Sequence, residues 1–179
     1  MNRPENGAEF EIRHFAATDA ASVPEVISEA FGQETEAHLV HTLRHCGALV
    51  LELVAVNPAG RVIGHIAFSR VTAAAVGPGA ALSIVCLAPV SVLPDLQKSG
   101  IGSALIRKGI EELKATGEDL ILVLGAPAYY NRFGFDSMLA RKVNGPYAGD
   151  PFMALALTEA GSRDLPVDVA FATPFQEFE

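Results

Sequence analysis

Tryptophan is absent from this 179-residue chain, and cysteine and basic residues are scarce. The two cysteines, Cys46 and Cys86, are too few for a disulfide scaffold and lack the C-x-x-C spacing of a metal knuckle. The 13 lysines and arginines stand against 21 acids, for a net charge of −8. This balance disfavours nucleic acid as a partner, because phosphate binding requires a basic surface. The first ten residues contain no apolar run, so no secretory signal is expected.

One uncharged segment, Val71–Pro94, has 24 residues and is long enough to cross a bilayer. It contains Pro78, Pro89 and Pro94 together with two glycines, and so many helix breakers argue against a membrane helix. Half of the residues are hydrophobic, which provides material for a core. We therefore expect a cytoplasmic protein with no membrane partner, built as a single domain over residues 1–179 with a loose tail at 1–8.

The apolar periodicity predicts a mixed α/β sheet flanked by helices. Asp19 is expected to cap a first helix that ends at Gly32, and a second helix is expected over 34–46. The next apolar runs predict a hairpin of strands at 48–56 and 61–71, in which Gly64 is a candidate bulge. A strand at 82–87, a helix at 100–116 and a strand at 120–124 form a β-α-β unit. The remaining predicted elements are a strand at 9–15, a short helix at 128–132, and strands at 152–157 and 167–171.

The glycine-rich segment between the predicted strand at 82–87 and the helix at 100–116 is typical of an anion site, since backbone N–H groups and the helix dipole converge there. Three phosphate-binding patterns compete. A P-loop requires Gly-Lys followed by Ser or Thr, whereas here Lys98 precedes Gly100. A dinucleotide fingerprint requires a third glycine, where this chain has Leu105. It also requires an acidic residue after the second strand of the β-α-β unit, and no acid directly follows the strand at 120–124. The third pattern is Q-x-x-G-x-G, a pyrophosphate cradle for acetyl-coenzyme A.

The segment V-L-P-D-L-Q-K-S-G-I-G at 92–102 resembles the acetyl-CoA motif of the GNAT N-acetyltransferases, and Y-Y-N-R-F-G-F at 129–135 resembles their second signature. The two motifs lie in the family's order about 30 residues apart, and the resemblance extends over roughly 10–171. It is closest to a bacterial branch with A-F-G after the first helix and L-A-P before the loop. The resemblance implies the GNAT fold, in which the fourth and fifth strands splay apart.

The resemblance also implies roles for individual residues. The coenzyme, acetyl-CoA, would contact backbone or side-chain groups of Val90, Ser91, Val92, Gln97, Lys98, Ser99, Gly100, Ile101, Gly102, Ser103, Tyr130 and Arg132. Tyr130 stands at the position of the family's general acid, which protonates the departing thiolate after an amine attacks the thioester directly in a ternary complex. A strand N–H near Val92 would polarise the thioester carbonyl. No metal is implied.

The acceptor is expected to be a primary amine of a small molecule or peptide, and Phe31, Gln33 and Glu34 border the acceptor site in this fold. The general base is not identified; Glu29 and Glu34 are more typical of solvated acids at helix ends. His38, His41, His45 and Glu34 share a helical face opposite the apolar stripe, and we interpret it as solvent-facing. Cys86, within an apolar strand, is interpreted as a small buried hydrophobe.

One turn departs from the family pattern, because Gly125-Ala126-Pro127 stands where many relatives carry Asn or Asp after the fifth strand. Two other functional classes are considered besides the transferase. A non-catalytic acyl-CoA-binding or sensor protein could use the same fold, and a dinucleotide-dependent enzyme is disfavoured by Leu105. The family is often dimeric, so a homodimer is a possible assembly.

Overall fold

A computed structural model describes residues 9–178, so the predicted tail at 1–8 lies outside the described residues. The helices are α1 Ser22–Phe31, α2 Thr35–His45, α3 Ile101–Ala115, α4 Pro127–Tyr130, α5 Ser137–Ala140 and α6 Glu159–Arg163. The strands are β1 Glu11–His14, β2 Leu49–Val56, β3 Val62–Ala73, β4 Ile84–Val92, β5 Leu120–Leu124, β6 Val143–Asn144, β7 Phe152–Ala156 and β8 Val167–Ala170. The predicted mixed α/β sheet is confirmed, with strand order β1-β2-β3-β4-β5-β7 and β8 pairing with β3 and β6.

The described residues pack as two compact units. The first contains the described residues up to Phe68 together with Pro89–Gly109, and the second contains Ser69–Ala88 and the chain from Ile110 onward. Three elements, β3, β4 and α3, therefore contribute residues to both units.

In the first unit, β1 and β2 pair antiparallel from Glu11–Val56 to His14–Leu53. The start of α3 packs closely against β3, because a Cβ on Gly64 would lie 3.1 Å from side-chain carbons of both Ile101 and Leu105. Ile101 and Leu105 are buried. Gly64, considered above as a bulge, thus provides the close approach that lets the helix start lie on the strand.

In the second unit, β4 and β5 pair in parallel from Ile84–Leu120 to Leu87–Val123, which confirms the β-α-β unit. β7 then pairs antiparallel with β5 along its whole length. β4 continues to Val92, five residues past the last residue it pairs with β5. β6 and β8 form a second, short parallel pair.

One predicted helix cap is wrong. The Asp19 carboxylate does not cap α1, which begins at Ser22; it accepts hydrogen bonds from the Arg13 guanidinium at 2.7 and 2.9 Å and from the Ala16 N–H at 2.8 Å. An arginine partner holds the pKa of Asp19 below its usual range. The Asp19 carboxylate is engaged in the ion pair with Arg13 and therefore does not accept hydrogen bonds from the first N–H groups of α1.

Three short elements were not predicted, namely α5, β6 and α6. They have five or fewer residues each, too few for a period to be visible in the sequence. Among the described residues, no helix has the length and apolar character needed to cross a membrane.

Candidate functional site

The segment between β4 and α3 is a braced loop of the first unit. The Leu93 N–H donates to the Ile63 carbonyl of β3 at 3.0 Å, and a turn of 3-10 helix follows over Pro94–Leu96. The Gln97 side-chain amide reaches back to donate to the Val92 carbonyl at 3.1 Å. The Ser99 hydroxyl donates to the Leu96 carbonyl. These hydrogen bonds brace the loop from within.

The loop backbone enters the left-handed region at Lys98, with φ +61°, and again at Gly100, with φ +93°. Left-handed residues within such a turn direct successive N–H groups toward one concavity, the geometry known as an anion-binding nest. α3 begins at the next residue, and the N–H groups of a helix's first turn point outward from its positive end. Residues 98–103 therefore form a backbone site suited to a phosphate or pyrophosphate group.

Lys98 is the one residue other than glycine with a positive φ in the range 9–178. A lysine pays a steric cost in this region that glycine and asparagine largely avoid. Its side chain is exposed. The loop thus combines a strained backbone with a cation, and such strain is typically retained where a backbone conformation has a function.

The C-terminal end of β4 lies in the same unit. Val90 is half-buried there, whereas Ser91 and Val92 are buried. The Ser91 hydroxyl points into the interior and has no hydrogen-bond partner among the described residues. Any contact of Ser91 with a ligand would therefore be made by its backbone.

Tyr130 closes α4 in the second unit, after Pro127 at the first helical position. Its ring packs edge-on against the rings of Tyr129, with centroids 5.0 Å apart, and of Phe135, 5.8 Å apart. Burial raises the pKa of Tyr130 to about 12, with smaller contributions from the neighbouring Tyr129 and Cys86. The phenol is therefore protonated at neutral pH and available as a hydrogen-bond donor.

Cys86 and Arg132 also lie in the second unit, and the structure defines the surroundings of each side chain. Cys86 is buried, as predicted, and burial raises the pKa of its thiol to about 12, so it is no nucleophile at neutral pH. The Arg132 guanidinium lies 4.8 Å from the centroid of the Tyr129 ring and 5.2 Å from that of Phe133, and its Nε donates to the Tyr129 carbonyl.

The residues predicted to border an acceptor lie together on the exposed turn between α1 and α2. Phe31 is 42% exposed, Gly32 takes the left-handed conformation, and Gln33 donates to the Glu36 carboxylate. Glu34 is exposed on the same turn. His38, His41 and His45 are exposed along α2, as predicted, and within residues 9–178 no group of three potential metal ligands occurs.

A buried polar cluster in the first unit was not predicted from the sequence. Glu52 of β2 accepts from Arg44 at 2.7 Å and is 3.2 Å from Nε2 of the fully buried His65 of β3. Burial lowers the pKa of His65, so the ring is neutral at pH 7 and donates through Nε2. The signal was present in the sequence, because Glu52 and His65 are polar residues inside strongly apolar strands.

Comparison with known proteins settles the family. Residues 11–138 match the model of a family described as the acetyltransferase (GNAT) domain. The chain belongs to the GNAT acetyltransferase family. It is 37% identical over 125 residues to YhbS of Escherichia coli, an uncharacterized N-acetyltransferase, and the match covers 70% of this chain and 72% of YhbS.

Solved structures of the GNAT family agree with this assignment. The crystal structure of E. coli YhbS in complex with CoA superposes with a TM-score of 0.86 at 29% identity, covering 99% of this chain and 98% of that one. A Brucella melitensis GNAT acetyltransferase in complex with acetyl-CoA gives a TM-score of 0.76 at 36% identity, covering 94% and 99% of the two chains. Both relatives were thus crystallised with the coenzyme or its acetyl form.

Proposed function

We propose that this GNAT chain transfers the acetyl group of acetyl-CoA to a primary amine of a small molecule or peptide. The observation that carries the proposal is the loop of residues 97–103, whose left-handed Lys98 and Gly100 lead into the N-terminus of α3. The CoA and acetyl-CoA complexes of the two similar GNAT structures support coenzyme binding by a chain of this fold.

We call residues 98–103 the cradle. It would bind the pyrophosphate through the backbone N–H groups of Lys98, Ser99, Gly100, Ile101, Gly102 and Ser103. Gln97 contributes by bracing the loop, because its amide is bonded to the Val92 carbonyl. Backbone groups of Val90, Ser91 and Val92 would run beside the pantetheine arm, and a strand N–H near Val92 would stabilise the oxyanion. Arg132, held over the Tyr129 ring, would add a positive charge for a coenzyme phosphate.

The reaction assigned to the site is direct attack of the amine nitrogen on the thioester carbon. The neutral amine is the nucleophile: the C–N bond forms, the C–S bond breaks, and the proton lost by the nitrogen passes to water, from which the phenolate of Tyr130 is afterwards reprotonated. Tyr130 would donate its phenolic proton to the departing thiolate, a role that suits a half-buried phenol protonated at neutral pH. Tyr130 would thereby stabilise the negative charge that develops on sulfur in the transition state.

The acceptor would approach the exposed turn that carries Phe31, Gln33 and Glu34. An aromatic ring beside a carboxylate suits a cationic amine, through cation–π and charge attraction. The net charge of −8 favours the same class of substrate.

The proposal is tested in two measurements. Titration calorimetry with acetyl-CoA and CoA should show binding, and a panel of primary amines and peptides should yield one or more acceptors that release CoA thiol. Absence of acetyl-CoA binding would overturn the proposal. Binding without thiol release over a broad amine panel would favour the non-catalytic acyl-CoA-binding protein instead.

Lys98 allows the charge and the backbone conformation of the cradle to be tested separately. Lys98→Asn removes the charge but keeps a residue that tolerates positive φ, so we expect the Kd for acetyl-CoA to rise by only about 2- to 5-fold, as for an exposed ion pair. Lys98→Val places a β-branched residue at the same φ, and the resulting strain should raise the Kd by about 10-fold or more.

Calorimetry at two salt concentrations distinguishes the two contributions. The Lys98→Asn defect should shrink at high salt, because screening weakens the wild-type ion pair, whereas the additional defect of Lys98→Val over Lys98→Asn should persist. Equal Kd values for the two variants would contradict the assignment of the cradle to backbone geometry.

A further inference from the structure

The turn that departs from the family pattern has a direct structural relation to Tyr130. A Cβ placed on Gly125 would lie 2.4 Å from Cε2, 2.9 Å from Cδ2 and 3.4 Å from Cζ of the Tyr130 ring. Carbon atoms that are not bonded to each other do not approach this closely, since their contacts are optimal at about 3.5–4.0 Å. The phenol ring therefore fills the space that any side chain at position 125 would occupy.

Backbone conformation does not account for the glycine. Gly125 is absent from the positive-φ residues within 9–178, so alanine could adopt its backbone geometry. The backbone at this position is also held in place, because the Gly125 N–H donates to the Pro151 carbonyl at 2.9 Å. What requires glycine at position 125 is thus the neighbouring ring.

The ring is confined on its other sides as well. The Tyr130 N–H donates to the Ala126 carbonyl at 3.1 Å, which fixes the start of the side chain. Edge-on contacts with Tyr129 and with the buried Phe135 restrict the ring plane. A methyl group at position 125 could be accommodated only if the phenol moved, because the backbone and both neighbouring rings are packed.

We propose that Gly125 is a positioning residue that sets the location and burial of the Tyr130 phenol by lacking a side chain. The inference rests on the proposed function, in which Tyr130 protonates the thiolate. Displacement of an acid by about 1 Å is enough to lower a rate by roughly 10²-fold.

Gly125→Ala tests this role in the full-length protein. We expect kcat to fall by about 10-fold or more, with the Kd for acetyl-CoA unchanged, since the cradle is untouched. In a Tyr130→Phe background the same substitution should change kcat by less than about 2-fold, because the group it displaces is already missing. An equal loss in both backgrounds would overturn the proposal.

Tyrosinate absorbance gives a readout that needs no enzymatic activity. Burial holds the pKa of Tyr130 at about 12, so the wild-type phenol stays largely protonated up to pH 11. A phenol displaced toward solvent should titrate nearer its ordinary value of about 10, and the difference from Tyr130→Phe isolates it from Tyr129 and Tyr147. An unchanged titration in Gly125→Ala would contradict the proposal even if activity fell.

The matched control is Gly145→Ala, which adds a methyl elsewhere in the second unit, 3.1 Å from Cγ2 of Val169. It should leave the Tyr130 titration and kcat unchanged.

Thermal unfolding tests the proposal even if Gly125→Ala is poorly folded. We expect Gly125→Ala to lower Tm by roughly 2–10 °C in the wild-type background. In a Tyr130→Ala background this loss should be largely absent, because the space beside position 125 is open. A loss of the same size there would overturn the proposal.

These measurements separate failure of the inference from failure of the proposed function. If the protein transfers no acetyl group, the titration and the Tm cycle still report whether Gly125 positions the phenol. If transfer occurs but Tyr130→Phe is as active as wild type, the acid role falls while the packing relation stands.

Discussion

Tyr130→Phe is expected to lower kcat for acetyl transfer by about 10²-fold or more, the usual contribution of a general acid, while leaving the Kd for acetyl-CoA unchanged. The substitution removes one oxygen and keeps the ring, so the edge-on contacts with Tyr129 and Phe135 are retained. The cradle at 98–103 lies in the other compact unit and should bind the coenzyme as before. Thiol release under saturating acetyl-CoA and acceptor, together with calorimetry, measures the two quantities.

The pH dependence of the wild type follows from the same phenol. Because burial raises the pKa of Tyr130 to about 12, its acidic form is present at all pH values below that, and loss of this proton should not limit kcat below about pH 11. An alkaline decline centred near pH 8 would have to arise from another group.

Tyr129→Phe is the matched control for this prediction. Tyr129 is the adjacent tyrosine, and the Arg132 guanidinium lies 4.8 Å from the centroid of its ring. A phenylalanine ring would keep this cation–π contact. We expect its kcat to stay within about 2-fold of wild type. If the two variants lost activity equally, Tyr130 would have no special place in the proton transfer.

Arg44→Met is expected to reduce the free energy of unfolding by about 3 kcal/mol at pH 7, which corresponds to a fall in Tm of roughly 6–12 °C. The Glu52 side chain is 8% exposed, and Arg44 and His65 are its partners. Removal of the arginine leaves a buried carboxylate with only a neutral imidazole donor. It also removes the guanidinium that lies 4.1 Å from the centroid of the Phe15 ring.

The size of this loss should depend on pH in a defined direction. Burial alone would raise the pKa of Glu52, but hydrogen bonds from His65 and Arg44 outweigh it and hold the pKa below its usual range. A carboxyl with a lowered folded-state pKa stabilises the protein above its unfolded pKa, and that contribution is lost as the pH falls through the folded-state pKa. The difference between wild type and Arg44→Met should therefore be largest near pH 7 and shrink toward pH 4.

Urea denaturation at the two pH values measures this difference. Arg163→Met is the control, because the Arg163–Asp164 pair is exposed and its loss should have no measurable effect. A loss for Arg44→Met that is independent of pH would show that the arginine acts through its packing on Phe15 and not through Glu52.

Elements with a strong local signal were predicted closely. β5 was predicted at its observed bounds, since Leu120–Leu124 is an apolar run between two acids and a glycine. α3 was predicted to within one residue at each end, because Gly100 and Gly117 punctuate it and both adopt positive φ. The glycine-rich loop at 97–103 was visible in the sequence for the same reason, and its role in binding the coenzyme stays a prediction.

The end of β4 was predicted less well. The strand was predicted to end at Leu87, two residues before Pro89, yet it continues to Val92. Within β4, only Ile84–Leu87 pair with β5. Pro89 lies beyond these residues, so its missing N–H costs no hydrogen bond to β5. Where a strand loses its partner, a proline no longer marks its end.

By itself, the sequence predicted the family and the main strands and helices, because apolar periods, glycines and the two motifs are local properties of consecutive residues. The tertiary structure decided the contacts between residues distant in the chain or brought together by a turn. It assigned Asp19 to Arg13 and Glu52 to Arg44 and His65, and it placed the Tyr130 ring in the space left by Gly125. Such contacts depend on which side chains share a buried volume, and that volume exists only once the elements have packed.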